Sequence, residues 1–95
     1  MREVVINRCY GGFDLSEEAQ ELYLKLKNIT SYSTVEYFYD HHLNRHDPIL
    51  VSVVKQLGDR ANGSFADLKV VEVQGRYRIN EYDGFETIEE EGRWL

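Results

Sequence analysis

The chain has 95 residues, a formal net charge of −6 and one cysteine. This length supports one modest core, so we expect residues 1–95 to form a single compact α/β domain. The basic residues are scattered, which argues against binding of duplex DNA, since that needs a clustered basic surface. A lone cysteine excludes an intrachain disulfide, and the first apolar stretch is too short to span a membrane. We therefore expect a cytoplasmic protein without a membrane partner.

The amino-terminal third predicts a strand followed by a helix. Residues 3–9 contain three consecutive β-branched residues and resemble a buried strand. Ser16 is a favourable N-cap, and apolar residues then recur at helical spacing, which predicts an amphipathic helix over residues 16–28.

The middle of the chain predicts a second strand and a second helix. Residues 34–40 are rich in β-branched and aromatic types and favour a strand. Asp47 and Pro48 are typical of a helix start, and Asn62-Gly63 predicts the end of that helix.

The last third predicts strands joined by tight turns. Residues 67–73 and 76–82 favour strands, with turns at Gln74-Gly75 and Asp83-Gly84. The order is then β-α-β-α-β-β with one more short strand. It predicts a two-layer α+β sandwich in which two helices pack on one face of a four- to five-stranded mixed sheet. A right-handed crossover would make the first two strands parallel.

The opposite face of that sheet would have little cover in so small a domain. We therefore expect a homodimer or a higher homo-oligomer, formed through that face or through an edge strand.

The run Cys9-Tyr10-Gly11-Gly12-Phe13 lies between the first strand and the first helix, where α/β folds often bind ligands. The two glycines would let backbone N–H groups face a ligand, and the two rings would sandwich a planar group. Acidic residues begin the following helix and would repel phosphate, so the loop favours a neutral ring or a ribose. The alternative is a plain turn that needs positive φ.

Two further segments contain candidate ligand contacts. Arg45 precedes a helix whose first turn has no acidic residue, which suits an anionic group, with Asp47 beside it. The alternative is a structural role in which Asp47 caps the helix and contacts Arg45. Near the end of the chain, Tyr82, Asp83 and Glu86 would hold sugar hydroxyls, or else form a solvated hairpin tip.

Cysteine and histidine allow an enzymatic alternative. Cys9 could be a nucleophile with a histidine partner, although a lone cysteine ending an apolar strand is typical of a core. His41, His42 and His46 match no established zinc spacing, so we predict neither a metal nor a cofactor.

The sequence contains three longer motifs: INxCYGGFxLS at residues 6–16, RxDPxLV at residues 45–51 and EYDGxE at residues 81–86. On these motifs it resembles a family of small uncharacterised proteins encoded by phages, prophages and large DNA viruses. The resemblance spans nearly the whole chain except residues 29–44. It implies a viral setting in the cytoplasm of an infected host cell, where small acidic proteins often counter host defences.

We therefore expect a phage-type, non-enzymatic binding protein that sequesters a nucleotide-derived immune signal in a pocket at a subunit interface. An acidic inhibitor or adaptor of a host enzyme is the first alternative, and a small Cys/His enzyme is the second. The expected ligand contacts are Tyr10, Gly11, Gly12, Phe13, Arg45, Asp47, Tyr82, Asp83 and Glu86.

Overall fold

The computed structural model describes residues 2–30, 33, 37–38 and 43–90, which form an α+β fold. No helix in these ranges is long and apolar enough to cross a membrane. The elements are strand β1 (Arg2–Asn7), helix α1 (Glu17–Leu26), helix α2 (Pro48–Leu57), a 3-10 turn (Gly58–Ala61), and strands β2 (Leu68–Val73), β3 (Tyr77–Tyr82) and β4 (Phe85–Glu90).

Both predicted helix starts are confirmed. The Ser16 side chain accepts a hydrogen bond from the amide of Ala19 at 3.1 Å, which caps α1. The Asp47 side chain accepts one from the amide of Ile49 at 2.8 Å, and Pro48 occupies the first turn of α2. Each cap satisfies an amide that has no partner inside its own helix.

The described strands form two antiparallel pairs, so the predicted four- to five-stranded mixed sheet is not confirmed. β1 pairs with β2, placing Arg2 opposite Val73 and Asn7 opposite Leu68. β3 pairs with β4 around the predicted Asp83-Gly84 turn. The chain bends at residues 74–75 as expected, but β2 and β3 belong to different sheets.

The predicted strand at 34–40 lies mostly outside the described residues. Tyr37 and Phe38 are helical, and the Tyr37 amide donates to the Ser33 carbonyl at 3.0 Å, which is a helical contact and not a strand contact. The segment before α2 lies along the edge of β1 that faces away from β2. The Val5 amide donates to the Arg45 carbonyl there at 2.8 Å.

The two faces of the β1–β2 sheet are covered by different elements. Val5 and Leu68 belong to the core formed with the helices, whereas Val4, Ile6 and Val73 pack against the β3–β4 hairpin. Both faces of this two-stranded sheet are therefore covered, unlike the poorly covered face expected of the larger predicted sheet. Period-two alternation places Ile79 and Ile88 on one face of the hairpin. That face is partly buried because it packs over the first sheet, and the hairpin adds no strand to the edge of that sheet.

Candidate functional site

The Tyr10–Phe13 loop lies against the turn of the β3–β4 hairpin. Asp83 and Gly84 have φ values of 50° and 88°, which is the backbone of a two-residue hairpin turn. A Cβ on Gly84 would lie 2.7 Å from the Gly12 Cα and 2.8 Å from the Tyr10 carbonyl oxygen. The structure therefore brings together two of the segments that the sequence singled out, through direct backbone packing.

Gly11 has a similar packing role. A Cβ at this position would collide with the Cβ and the carbonyl group of Phe65. Gly12 has a φ of 99°, as the turn explanation requires. Both glycines are thus accounted for by contacts and conformation within the chain.

Arg45 and Glu86 form a bidentate ion pair beside the outer edge of β1. Arg45 Nη1 lies 2.6 Å from Glu86 Oε1, and Nη2 lies 2.8 Å from Oε2. Arg45 Nη1 also donates to the Val5 carbonyl at 3.3 Å. These contacts use three of the five guanidinium N–H groups. Glu86 is only 5% exposed, so the pair is largely shielded from water and firmly held.

Asn7 connects this ion pair to the loop and the hairpin turn. Its backbone amide donates to Glu86 Oε1 at 2.8 Å. Its side-chain nitrogen donates to the carbonyl oxygens of Cys9 and Gly84 at 2.6 and 2.8 Å. Its side-chain oxygen accepts from the Asp67 amide at 2.8 Å. Asn7 is completely buried, and its hydrogen bonds fix four segments relative to one another.

The first cavity opens beside the ion pair and has a volume of about 320 Å³. The Arg45 guanidinium lies 3.6 Å from the centre of the Phe13 ring, within cation–π range. Asp14 and Gln20 add polar groups, and the Gln20 side-chain nitrogen donates to the Leu15 carbonyl at 2.9 Å. The described lining consists of Phe13, Asp14, Leu15, Gln20, Phe38, Leu43 and Arg45.

A second, smaller cleft of about 160 Å³ lies on the outer face of the hairpin. The centres of the Tyr10 and Phe85 rings are 5.1 Å apart there, and Tyr82 and Glu81 line the same cleft. Of the nine residues expected to form one pocket, four line these two cavities and the other five line neither. Phe13 and Arg45 line the first, and Tyr10 and Tyr82 line the second.

Asp47 caps α2, as the structural alternative proposed, but the partner of the Arg45 guanidinium is Glu86 and not Asp47. Besides capping α2, its Oδ2 accepts from the Tyr23 hydroxyl at 2.8 Å and pairs with Lys27 Nζ at 2.7 Å. Burial alone would raise the pKa of Asp47, but the hydrogen bonds from Lys27, Tyr23 and the Ile49 amide outweigh it and lower this pKa. Burial, and then the bond to Asp47, raise the pKa of Tyr23 well above its ordinary value. Asp47 lines neither of the two cavities.

Cys9 and His46 are the described residues that a Cys/His enzyme would use. Cys9 is a half-buried free cysteine, and His46 Nδ1 lies 2.6 Å from the Tyr77 hydroxyl. Within the described ranges no group of three His, Cys, Asp or Glu side chains could hold a metal ion. His41 and His42 lie outside those ranges.

Sequence reasoning missed Asn7, Asp14 and Gln20 as site residues. A signal existed for Asn7, because an amide inside an apolar strand needs buried hydrogen-bond partners. Asp14 and Gln20 gave no comparable signal. Their place in the lining depends on how α1 packs beside Phe38 and Leu43.

The chain was compared with known protein families, curated proteins and solved structures. No protein-family model matches the chain, and neither a curated protein nor a solved structure matches it.

Proposed function

We propose that this protein is a non-enzymatic binding protein that holds the planar part of a nucleotide-like small molecule in the first cavity. The supporting observation is the lining of that cavity. Its volume of about 320 Å³ is within the size range of ligand pockets, and its described lining combines aromatic and aliphatic side chains with the polar side chains of Asp14, Gln20 and Arg45.

The polar side chains favour a neutral group. The positive charge of Arg45 is already matched by Glu86, and a phosphate would have to displace a bidentate carboxylate from it. Asp14 offers carboxylate oxygens to a base N–H or a ribose hydroxyl. The side-chain nitrogen of Gln20 is used by Leu15, which leaves its amide oxygen as an acceptor. We therefore infer that the cavity takes the ring or ribose end of the ligand.

The biological role follows from the resemblance to phage and viral proteins. We propose that the protein sequesters a nucleotide-derived immune signal in the cytoplasm of an infected host cell. A homo-oligomer would add cations for the phosphates of such a signal, as expected from the sequence. Phe13, Asp14 and Gln20 of one chain would hold the neutral end of the ligand in the first cavity. A monomer should therefore retain the affinity for the neutral end of the ligand.

Calorimetry with nucleosides, nucleotides, cyclic dinucleotides and ADP-ribose tests the proposal. Asp14→Asn removes a charge from the lining with little change in shape, and Asp59→Asn is the matched control on the exposed 3-10 turn. We expect Asp14→Asn to weaken binding by about tenfold and Asp59→Asn to leave it unchanged. Absence of binding at high micromolar concentration would contradict the proposal. If nucleotides bound and nucleosides did not, the neutral-end assignment would be wrong.

The enzymatic alternative makes a different prediction from the same protein. Cys9→Ala and His46→Ala should leave ligand binding largely intact, because neither residue lines the first cavity. If instead a reaction on the ligand were detected and either variant abolished it, the protein would be a small Cys/His enzyme.

A further inference from the structure

Exposed aromatic rings are concentrated around the second cleft. Among the described residues, Tyr10, Phe65 and Tyr82 are 66%, 74% and 74% exposed. Tyr10 and Tyr82 line the cleft, and the Phe65 Cβ packs against Gly11, the residue that follows Tyr10. Rings left open to water in one place are a feature of interaction sites. The first cavity does not use them.

The fold holds these rings in place through its backbone. Tyr82 and Phe85 are directly opposite each other across the hairpin turn, so both side chains are on the same face of the hairpin. The contact between Gly84 and Gly12 fixes the loop that carries Tyr10, whose ring lies against Phe85. The cleft is thus formed before any partner arrives, which reduces the ordering cost of binding.

The chemistry of the cleft suits a cation. Aromatic faces attract guanidinium and ammonium groups, and the chain already shows this, because the Arg8 guanidinium lies 4.6 Å from the centre of the Phe85 ring. Glu81 lines the cleft although it alternates with the outward-facing Tyr82, and its Oε2 accepts a hydrogen bond from the Gly84 amide, so that the other acceptor sites of the carboxylate would meet a cation. The exposed Asp83 follows in the turn. The chain as a whole has a formal charge of −6, which would attract a basic partner over a longer range.

A second copy of this chain is a poorer occupant. Two copies related by a two-fold axis would place the same acidic side chains against each other. The volume of about 160 Å³ is also below the usual range of small-molecule pockets and suits a single side chain.

We propose that the cleft formed by Tyr10, Tyr82, Phe85 and Glu81 is a docking site for an arginine or lysine side chain presented by a basic protein partner. This site is separate from the nucleotide-like ligand proposed for the first cavity. The rings supply the contact surface, and the carboxylates select against neutral and acidic side chains.

The probe is a fluorescein-labelled peptide of alternating arginine and glycine, followed by fluorescence anisotropy, with an alternating glutamate–glycine peptide as the counter-probe. Tyr82→Ala should weaken binding of the arginine peptide by roughly tenfold, the loss expected for an anchoring ring. Tyr82→Phe should retain binding, because the ring face carries the contact. Leu26→Ala removes a partly exposed apolar side chain outside the cleft and should have no effect.

Three results would overturn the proposal. Tyr82→Ala could bind the arginine peptide like the parent, which would show attraction by net charge alone. The glutamate peptide could bind equally well, which would show no preference for a cation. Sedimentation could also reveal self-association that Tyr82→Ala abolishes, which would make a second copy the occupant. Because Tyr82 is exposed, its truncation should leave the far-ultraviolet circular dichroism unchanged.

Discussion

Replacing Glu86 by glutamine should destabilise the fold strongly. The change keeps the side-chain shape, but it removes the negative charge opposite Arg45 and puts an amide nitrogen where an acceptor is needed. Glu86 Oε1 also accepts from the Asn7 amide, so up to three hydrogen bonds are affected. The Glu86 and Arg45 side chains are 7% and 21% exposed, so the arginine left unpaired would be largely shielded from water.

The expected loss is about 3 kcal/mol, the lower end of the cost of breaking a buried pair, because Arg45 retains some access to water. For a domain of this size that corresponds to a drop in Tm of about 12–24 °C. Urea and thermal unfolding monitored by circular dichroism measure both quantities. The matched control is Glu89→Gln on the same strand, which breaks an exposed pair with Arg78 and should leave the midpoint nearly unchanged.

A double-mutant cycle separates the pair from the other contacts of each residue. The double variant Arg45→Met, Glu86→Leu should be more stable than the sum of the two single losses predicts. Each single variant leaves one unpaired charge behind, whereas the double variant leaves none. A loss below about 1 kcal/mol for Glu86→Gln, or a coupling energy near zero in the cycle, would refute the reasoning.

Three further variants test individual parts of the fold. The lowered pKa of Asp47 stabilises the native state above its unfolded pKa of about 3.9, and this contribution is lost as the pH falls through the lower folded value. Urea titrations in that acidic range should therefore show a smaller pH dependence for Asp47→Asn than for the parent. Gly84→Ala should cost roughly 1–3 kcal/mol, because it combines positive φ with a collision at Gly12. Gly75→Ala, which meets open space, should be neutral in the same thermal assay. Ser16→Ala should cost about 1 kcal/mol by removing the cap of α1, and α1 amides should then exchange hydrogen faster.

Local features of the fold could be predicted from the sequence. Ser16, Asp47 and Pro48 start helices because their chemistry satisfies or removes amides that have no partner inside the helix. The Asp83-Gly84 pair could be predicted to form a turn because both residues tolerate the positive φ that a two-residue hairpin turn requires. These signals depend on neighbours within four residues, which a single sequence displays directly.

The assembly of the strands could not be predicted in the same way. Whether a hairpin extends a sheet or folds over its face depends on apolar residues distant in sequence, here Val4 and Ile6 against Ile79 and Ile88. Local patterns carry no information about that choice.

The candidate site shows the same division. Arg45 and Glu86 were singled out separately, as an anion contact and a hydroxyl contact, but they face each other. One clue was present. In the β3–β4 register, Glu86 lies on the same face as Ile88, so alternation alone would bury a carboxylate there and require a cation nearby. Tyr10 and Phe13 are separated for a tertiary reason, since the hairpin turn inserts its backbone beside Gly12.

Asn7 also has a consequence for the time order of folding during synthesis. Its partners Asp67 and Glu86 are 60 and 79 residues further along the chain. During synthesis β1 therefore stays apolar and unpaired until β2 has been made, and the Asn7 amide has no contact with Glu86 until β4 has been made. Contacts between residues so distant in sequence form slowly, and until they form the apolar β1 segment is exposed and prone to aggregation. Nascent chains that end before Leu68 should accordingly be held by chaperones for longer than chains that extend past Glu86, in which both Asp67 and Glu86 can contact Asn7.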